Sequence, residues 1–160
     1  MSIGGRYRVL DRLGRGGMAV VYRVQAGDDG EPLALKQLTL SRHERRDQYS
    51  VSQFEREFYA LAQLSHPRII RVYDYGVDPA GPYYTMELLD GGDLHDRTPL
   101  PYAVACAHLL DVCSSLALLH SRGLVHRDVS PRNIRCTHAG HAKLIEIGRA
   151  SCRERVLPTV

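Results

Sequence analysis

An aspartate and an asparagine five positions apart, Asp128 and Asn133, could serve one phosphoryl-transfer site. They lie in the stretch 125–133, which reads Val-His-Arg-Asp-Val-Ser-Pro-Arg-Asn. In such chemistry a carboxylate takes the proton of the attacking hydroxyl, and a carboxamide oxygen holds a metal ion. Pro131 fixes one φ angle between the two side chains and so stiffens the loop. A turn with a helix-capping aspartate and an ordinary asparagine would fit the same residues, so the rest of the chain must decide.

A glycine-rich run near the N-terminus, residues 13–21, adds a candidate phosphate contact. It reads Leu-Gly-Arg-Gly-Gly-Met-Ala-Val-Val and lies between two strand-like segments. Glycine backbone can approach phosphate oxygens closely and donate N–H groups to them. The run leads into β-branched residues and has Ala19 in the third glycine position, which argues against a Rossmann dinucleotide site. For this run alone, a plain hairpin turn stays open as the alternative.

The two lysines of the chain suggest where a charge pair is needed. Among 21 basic residues only Lys36 and Lys143 are lysine, and Lys36 has apolar neighbours in a strand-like run. An ammonium there could reach phosphate oxygens, or it could be solvated on an edge strand. Glu57 lies on the apolar face of the helix that follows, where a buried carboxylate needs a cation. We therefore predict that Lys36 pairs with Glu57, with Glu55 as the competing partner.

Strands and helices must position these residues. Alternating and continuous apolar runs predict strands over 7–10, 20–24, 33–38, 68–73 and 83–89, with short strands at 134–137 and 142–145. A polar entry over 41–50 precedes a helix whose buried face is Val51, Phe54, Phe58 and Leu61. A second helix over about 102–120 has the predicted buried stripe Cys106, Leu109, Leu110, Cys113, Leu116, Ala117 and His120. Gly123 is placed to end it in a left-handed conformation.

Composition favours a soluble domain of ordinary core size. The chain has 160 residues, 44% of them apolar, and a net charge of +3 without a basic stripe, so nucleic acid is not an expected partner. Its four cysteines form no C-x-x-C pair, which favours reduced cysteines and a cytoplasmic location. The N-terminus has no apolar run typical of a signal peptide. The longest apolar stretch, 102–119, contains His108 and Asp111, and we expect no membrane segment within this chain.

In chain order these motifs resemble those of a bacterial eukaryotic-like serine/threonine protein kinase. The resemblance covers residues 7–145 and depends on six signals, which are the glycine-rich run, Lys36, Glu57, the hinge 87–89, Asp128 and Asn133. It implies an α+β, bilobal fold with a complete β-rich N-lobe containing one helix, followed by the first part of a helical C-lobe. The domain boundaries that follow are 1–89 for the N-lobe and hinge, 90–146 for a partial C-lobe with the catalytic loop, and 147–160 for a tail.

The resemblance also implies the ligands and the roles of the site residues. ATP and Mg²⁺ would bind in the cleft between the lobes, and the γ-phosphoryl group would pass to Ser or Thr hydroxyls of a protein. Asp128 is then the catalytic base, Lys36 the phosphate contact and Glu57 its orienting partner. The implied nucleotide-binding residues are Leu13, Gly14, Arg15, Gly16, Gly17, Met18, Ala19, Val20, Val21, Ala34, Lys36, the gatekeeper Met86, the hinge residues Glu87 and Leu89, and Asn133. Asn133 and Glu146 would bind the metal.

Three residues and the tail depart from the family pattern. Ser130 stands where the family usually has a lysine, Arg135 where it has an aliphatic residue under the adenine ring, and Glu146 where it has the aspartate of Asp-Phe-Gly. Glu146 keeps a carboxylate, but the ligand geometry of Mg²⁺ is strict. Residues 147–156 resemble a translated sequencing adapter, so we interpret 147–160 as a non-native tail.

These departures keep two other functions open. The first is a pseudokinase that acts as a nucleotide-binding or scaffold module, which Ser130, Arg135 and Glu146 favour. The second is a small-molecule kinase of related fold, although the His-Arg-Asp triplet favours a protein kinase. If the chain is a kinase fragment, we expect it to be poorly active or inactive alone, because later C-lobe helices would be missing.

Overall fold

The computed structural model describes residues 1–40, 44–147 and 151–152, and of 44–47 and 151–152 only the backbone. The chain divides into two compact units. Unit 1 consists of Met1–Gln63 and Arg71–Leu88, and unit 2 of Leu64–Ile70 and Leu89–Val160. Segment 64–70 thus belongs to the second unit although it precedes part of the first.

Unit 1 is built on a six-stranded antiparallel sheet with the strand order β1-β2-β3-β4-β6-β5. Its strands are β1 (Ser2–Ile3), β2 (Tyr7–Arg15), β3 (Ala19–Ala26), β4 (Pro32–Leu38), β5 (Val72–Asp78) and β6 (Gly81–Met86). A core cluster of Ile3, Tyr7, Val24, Leu35 and Tyr83 lies on one face of the sheet. Burial of these large side chains stabilises the sheet by about 1.5–3 kcal/mol for each residue.

Helix α1 (Glu44–Ala62) belongs to unit 1 and uses the apolar face predicted for it. Phe54, Phe58 and Leu61 are buried, and both phenylalanine rings contact the ring of Tyr84 on β6. The steps of four and three residues place these side chains on one helical face. The predicted polar entry over 41–50 was wrong in part, because the helix already begins at Glu44 and its polar first turns do not prevent helix formation.

The strand predicted over 68–73 was also wrong in position. Strand β5 begins only at Val72, whereas Ile69 and Ile70 are buried in unit 2. There Ile70 N donates to Leu144 O at 2.8 Å, and Ile69 forms a parallel bridge with Leu144. An apolar run shows that residues are buried, but it does not show which element they are buried against.

Unit 2 contains helix α2 (Tyr102–Ser121) and two small antiparallel sheets. Strands β8 (Ile134–Cys136) and β9 (Ala142–Leu144) form the predicted hairpin, and β7 (Leu124–Val125) pairs with β10 (Ser151–Cys152). Helix α2 ends as predicted, because Gly123 has a φ of 73°, which costs glycine little.

The buried face of α2 differs from the prediction. The residues that the helix buries are His108, Val112, Ser115 and Leu119, whereas Leu109 and Leu110 are 61% and 72% exposed and Cys113, Ala117 and His120 are exposed. Polar contacts determine this orientation. Asp111 forms an ion pair with Arg68 at 2.7 Å, and the Ser115 hydroxyl donates to the Arg68 carbonyl at 2.7 Å. Because these polar groups need partners inside unit 2, the more apolar stripe faces outward.

By length and composition α2 is also a candidate membrane span, so the expectation of no membrane segment within this chain stays a prediction. This is weak support for a membrane location, because core helices of soluble proteins meet the same criteria. Within unit 2, α2 makes the ion pair and hydrogen bond just described and packs against β7 and β9.

Candidate active site

The first charge pair of the site lies wholly within unit 1. Lys36 is on β4 and is 8% exposed, and its Nζ lies 2.9 Å from Glu57 Oε1 on α1. The hydroxyl of Tyr84 donates to the same carboxylate oxygen at 2.6 Å. Lys36 and Tyr84 are cross-strand partners in the β4–β6 register, which places both side chains on the face that α1 covers. The pairing of Lys36 with Glu57 therefore occurs as the sequence pattern predicted, with Tyr84 as a third member that it missed.

Glu55, the competing partner, makes a different contact. Its Oε1 accepts a hydrogen bond from the hydroxyl of Tyr75 at 3.0 Å. Burial, and then this neighbouring carboxylate, raise the pKa of the Tyr75 hydroxyl and keep it a neutral donor. The two carboxylates lie two positions apart on α1 and therefore point in different directions around the helix.

The glycine-rich run forms the turn between β2 and β3. Gly14 pairs with Val21 and Arg15 with Val20, and Gly16 N donates to Ala19 O at 2.8 Å across the tip. A Cβ added to Gly14 or Gly17 would meet no described atom within 4 Å. Packing within unit 1 therefore does not require glycine at these two positions, whereas close approach of a ligand to the backbone would.

The predicted gatekeeper and hinge residues continue from β6. Met86 is 7% exposed and pairs with Ala34 on β4, which is 4% exposed. Glu87 Oε1 accepts the N–H of Arg71 at 2.8 Å, and Glu87 N donates to Arg71 O at 2.9 Å. Leu89, also buried, is the first residue of unit 2 after this strand.

The second polar pair of the site lies in unit 2. Pro131–Asn133 form one 3₁₀ turn, and Asn133 Nδ2 donates to both the carbonyl and the Oδ2 of Asp128, each at 3.0 Å. The backbone of the loop is held from two directions, since Asp128 N donates to His126 Nδ1 at 3.2 Å and Ile145 N donates to Asn133 O at 3.1 Å. Asp128 is exposed and Asn133 half-buried, so the carboxylate is open to a ligand.

His126 belongs to the loop motif 125–133, but the sequence predicted no function for it. It is 1% exposed, and burial lowers its pKa, which favours the neutral imidazole. A neutral ring can accept the Asp128 N–H at Nδ1, whereas a protonated ring would present a second donor there. His126 therefore helps to fix the backbone at Asp128. Arg127, between His126 and Asp128, has a φ of 63°, which is strained for a residue other than glycine.

The oxygen donors of unit 2 fit a hard metal ion by type. Asn133 binds Asp128 through Nδ2, so the carboxamide oxygen is the atom of this side chain that could bind a cation. Glu146, the other predicted metal ligand, carries a carboxylate, and Mg²⁺ prefers such oxygen ligands. Glu146 directly follows Ile145, whose N–H is bound to Asn133. In contrast, Arg135 Nε is enclosed and has no hydrogen-bond partner within the described part of the chain.

The protein kinase domain family matches residues 7–156 of this chain. The chain belongs to the protein kinase family. This confirms the family and the kinase fold that the order of the motifs suggested. The match extends past residue 145, where the resemblance drawn from sequence ended, and the interpretation of residues 147–160 as non-native stays a prediction.

Relatives of this kinase chain are bacterial serine/threonine kinases. It is 34% identical to a probable serine/threonine-protein kinase, PknB, of Lactococcus lactis over 91% of the chain and 24% of that protein. It is 36% identical to the DNA damage-responsive kinase RqkA of Deinococcus radiodurans over 96% of the chain and 23% of that protein. For the kinase PknL of Mycobacterium tuberculosis the identity is 37% over 89% of the chain and 36% of that protein. The chain thus spans about a quarter to a third of the length of these relatives. Protein kinases are transferases, and the chain belongs to this class through its family.

Proposed function

We propose that this chain carries the Mg-ATP site of a serine/threonine protein kinase that transfers the γ-phosphoryl group to Ser or Thr hydroxyls of a protein. The observation that carries the proposal is the shielded ion pair of Lys36 and Glu57, with Nζ and Oε1 2.9 Å apart. An ammonium held in this way costs little further ordering when it binds a phosphate. The kinase family to which the chain belongs uses a strand lysine and helix glutamate for this purpose.

Each residue of the site has one task in this proposal. Lys36 binds phosphate oxygens, and Glu57 and Tyr84 hold its ammonium in place. The glycine-rich run, apart from Gly16 whose N–H is bound to Ala19 O, offers backbone N–H groups to the phosphates. Asp128 accepts the proton of the acceptor hydroxyl, and the Asn133 carboxamide both orients Asp128 and offers its oxygen to Mg²⁺. The bound Mg-ATP supplies the phosphoryl group and part of the charge neutralisation.

Binding of Mg-ATP to the purified 160-residue chain tests this proposal without requiring turnover. We expect Lys36→Ala to weaken binding by about 10- to 150-fold, as for loss of a hydrogen bond to a charged group. The matched control is Lys143→Ala, which removes the other lysine, on β9. Equal affinities for the wild type and Lys36→Ala would reject the assignment of Lys36 as the phosphate contact.

A second candidate function is that of a pseudokinase, a nucleotide-binding or scaffold module without turnover. Two features favour it, because both alter residues that the family uses near the nucleotide and the metal. They are the enclosed Nε of Arg135, which has no hydrogen-bond partner among the residues that the structure describes, and the glutamate at 146. The two functions differ in their dependence on metal. Nucleotide binding that is equally tight with Mg²⁺ and with a chelator would favour the scaffold function, whereas tighter binding with Mg²⁺ favours the kinase.

A further inference from the structure

Asp111 on α2 is the only acidic residue in a helix that is otherwise mostly apolar, and both of its oxygens are used. Oδ1 lies 2.7 Å from Nε of Arg68, and Oδ2 accepts the backbone N–H of Ala142 at 2.9 Å. The side chains of Asp111 and Arg68 are 17% and 24% exposed, so the pair is largely shielded from water. The ring of His141 lies at the more open side, with Nδ1 3.6 Å from Oδ2. One carboxylate therefore joins α2, segment 64–70 and the start of β9.

Arg68 extends this connection through its backbone. Its carbonyl accepts the N–H of Leu144 at 3.0 Å as well as the hydroxyl of Ser115. Two residues after Arg68, Ile70 N donates to the carbonyl of the same Leu144 at 2.8 Å. Strand β9 is thus held on one side by segment 64–70 and on the other by β8. The ion pair with Asp111 therefore involves Arg68, the residue whose carbonyl binds β9.

The residue after β9 reaches the catalytic loop. Ile145 N donates to Asn133 O at 3.1 Å, and the Asn133 side chain in turn holds the Asp128 carboxylate at 3.0 Å. A continuous series of ion-pair, hydrogen-bond and backbone links therefore runs from Asp111 through Arg68, β9 and Ile145 to Asn133. All of its members lie in unit 2.

We propose that Asp111 is a positioning residue for the Asn133–Asp128 pair and acts through Arg68 and β9. The inference rests on the proposed function, because the position of the pair matters only if it serves a metal-nucleotide complex. Proximity alone does not show coupling between two sites. The alternative is that Asp111 only stabilises unit 2, in which case its removal lowers stability and leaves the geometry of Asn133 unchanged.

The variant Asp111→Asn separates these two cases because it keeps the size of the side chain and an oxygen for Ala142 N but removes the charge that binds Arg68. The matched control is Asp96→Asn, which removes an exposed carboxylate of unit 2 that also lies beside a histidine. Both are made in the full 160-residue chain. The first readout is the NMR signal of the Asn133 side-chain carboxamide, identified by its loss in Asn133→Ala. The second is the ratio of nucleotide affinities with Mg²⁺ and with a chelator.

We expect Asp111→Asn to shift the Asn133 carboxamide signal and to reduce the gain in affinity from Mg²⁺ by roughly 2- to 30-fold, while the affinity without Mg²⁺ is retained. Asp96→Asn should change neither readout. A lower melting temperature with an unchanged carboxamide signal and an unchanged Mg²⁺ gain would overturn the proposal. If the wild type binds no nucleotide, the proposed function fails, and the carboxamide signal alone still decides whether Asp111 positions Asn133. If Asp111→Asn does not fold, Arg68→Lys, which keeps the charge but loses the Nε–H donor, is tested by the same two readouts.

Discussion

The two polar pairs proposed for the site are held in different ways. Lys36 and Glu57 have side chains that are only 10% and 18% exposed, and side-chain contacts between a helix and a sheet hold them, with the Tyr84 hydroxyl as the third member. Asp128 and Asn133 lie in a more open loop, which is held by the hydrogen bond that Asp128 N donates to the His126 ring and by the one that Asn133 O accepts from Ile145 N. Residues of the first pair are therefore expected to contribute to the stability of their unit, whereas residues of the second contribute mainly to function.

The largest expected effect is on unit 1. Replacing Glu57 by alanine leaves the Lys36 ammonium without this carboxylate in a shielded position, and we expect a loss of about 3–5 kcal/mol of unfolding free energy. Urea unfolding followed by tyrosine fluorescence measures it, because the chain has no tryptophan and all of its nine tyrosines except Tyr102 lie in unit 1. Glu31→Ala, at an exposed position, is the control. A loss below about 1 kcal/mol would place this pair among ordinary surface ion pairs.

A second prediction tests which face of α2 holds unit 2 together. Leu119 is fully buried and Leu110 is 72% exposed. Leu119→Ala should therefore cost about 2–5 kcal/mol through the lost burial and the cavity left behind. Leu110→Ala should stay within about 0.5 kcal/mol of the wild type. Unfolding followed by NMR amide signals of α2 gives both values. A larger loss of unfolding free energy for Leu110→Ala than for Leu119→Ala would show that α2 buries the stripe predicted from sequence.

A third prediction concerns acid, which should affect unit 2 before unit 1. Burial lowers the pKa of His108 and of His126 from the ordinary value of 6.5, so the unfolded chain binds protons more tightly at both. Their contribution to stability is therefore complete above about pH 6.5 and is lost as the pH falls through the lower folded pKa values. Seven of the eight histidines belong to unit 2, and His43 is the exception.

Urea midpoints of the two units at pH 7.5, 6.5 and 5.5 measure this difference. NMR amide signals report unit 2, and tyrosine fluorescence reports unit 1. His108→Gln should flatten the pH dependence of unit 2, and His138→Gln, at the exposed tip of the β8–β9 hairpin, should not. Equal acid sensitivity in both units would show that the buried histidines do not set the difference.

The smallest effect on stability is expected at the catalytic loop. Asn133→Ala removes two hydrogen bonds near the surface, and we expect the unfolding free energy to change by no more than about 1–2 kcal/mol. The same variant should weaken Mg²⁺-dependent nucleotide binding about tenfold. Parallel urea and nucleotide titrations give the two numbers. A large stability loss with unchanged binding would reverse the comparison between the pairs.

Sequence reasoning located residues whose type conflicts with their surroundings. A lone lysine in an apolar strand and a glutamate on an apolar helical face identified Lys36 and Glu57, because a buried charge requires a partner. Tyr84 could not be found in this way, since its position opposite Lys36 depends on the β4–β6 register. The division of the chain at 89 and the roles of the individual site residues stay predictions.

The buried face of α2 shows where such reasoning fails. Hydropathy favoured the leucine and cysteine stripe, but Asp111 and Ser115 find their partners on Arg68, which comes from a distant part of the sequence. Ile69 and Ile70 were assigned to a strand of unit 1 for a similar reason, since their partner Leu144 lies more than 70 positions away. Long-range polar partners decide such cases, and a single sequence does not display them.

The proposed function requires that both pairs serve one Mg-ATP. An NMR titration of the 160-residue chain with Mg-ATP, observing the side-chain signals of Lys36 and Asn133 together, tests it most directly. We predict that both signals shift with the same dissociation constant, and that traces of Mn²⁺ in place of Mg²⁺ broaden Asn133 first. Shifts at Lys36 with no response at Asn133 under either metal would contradict the claim.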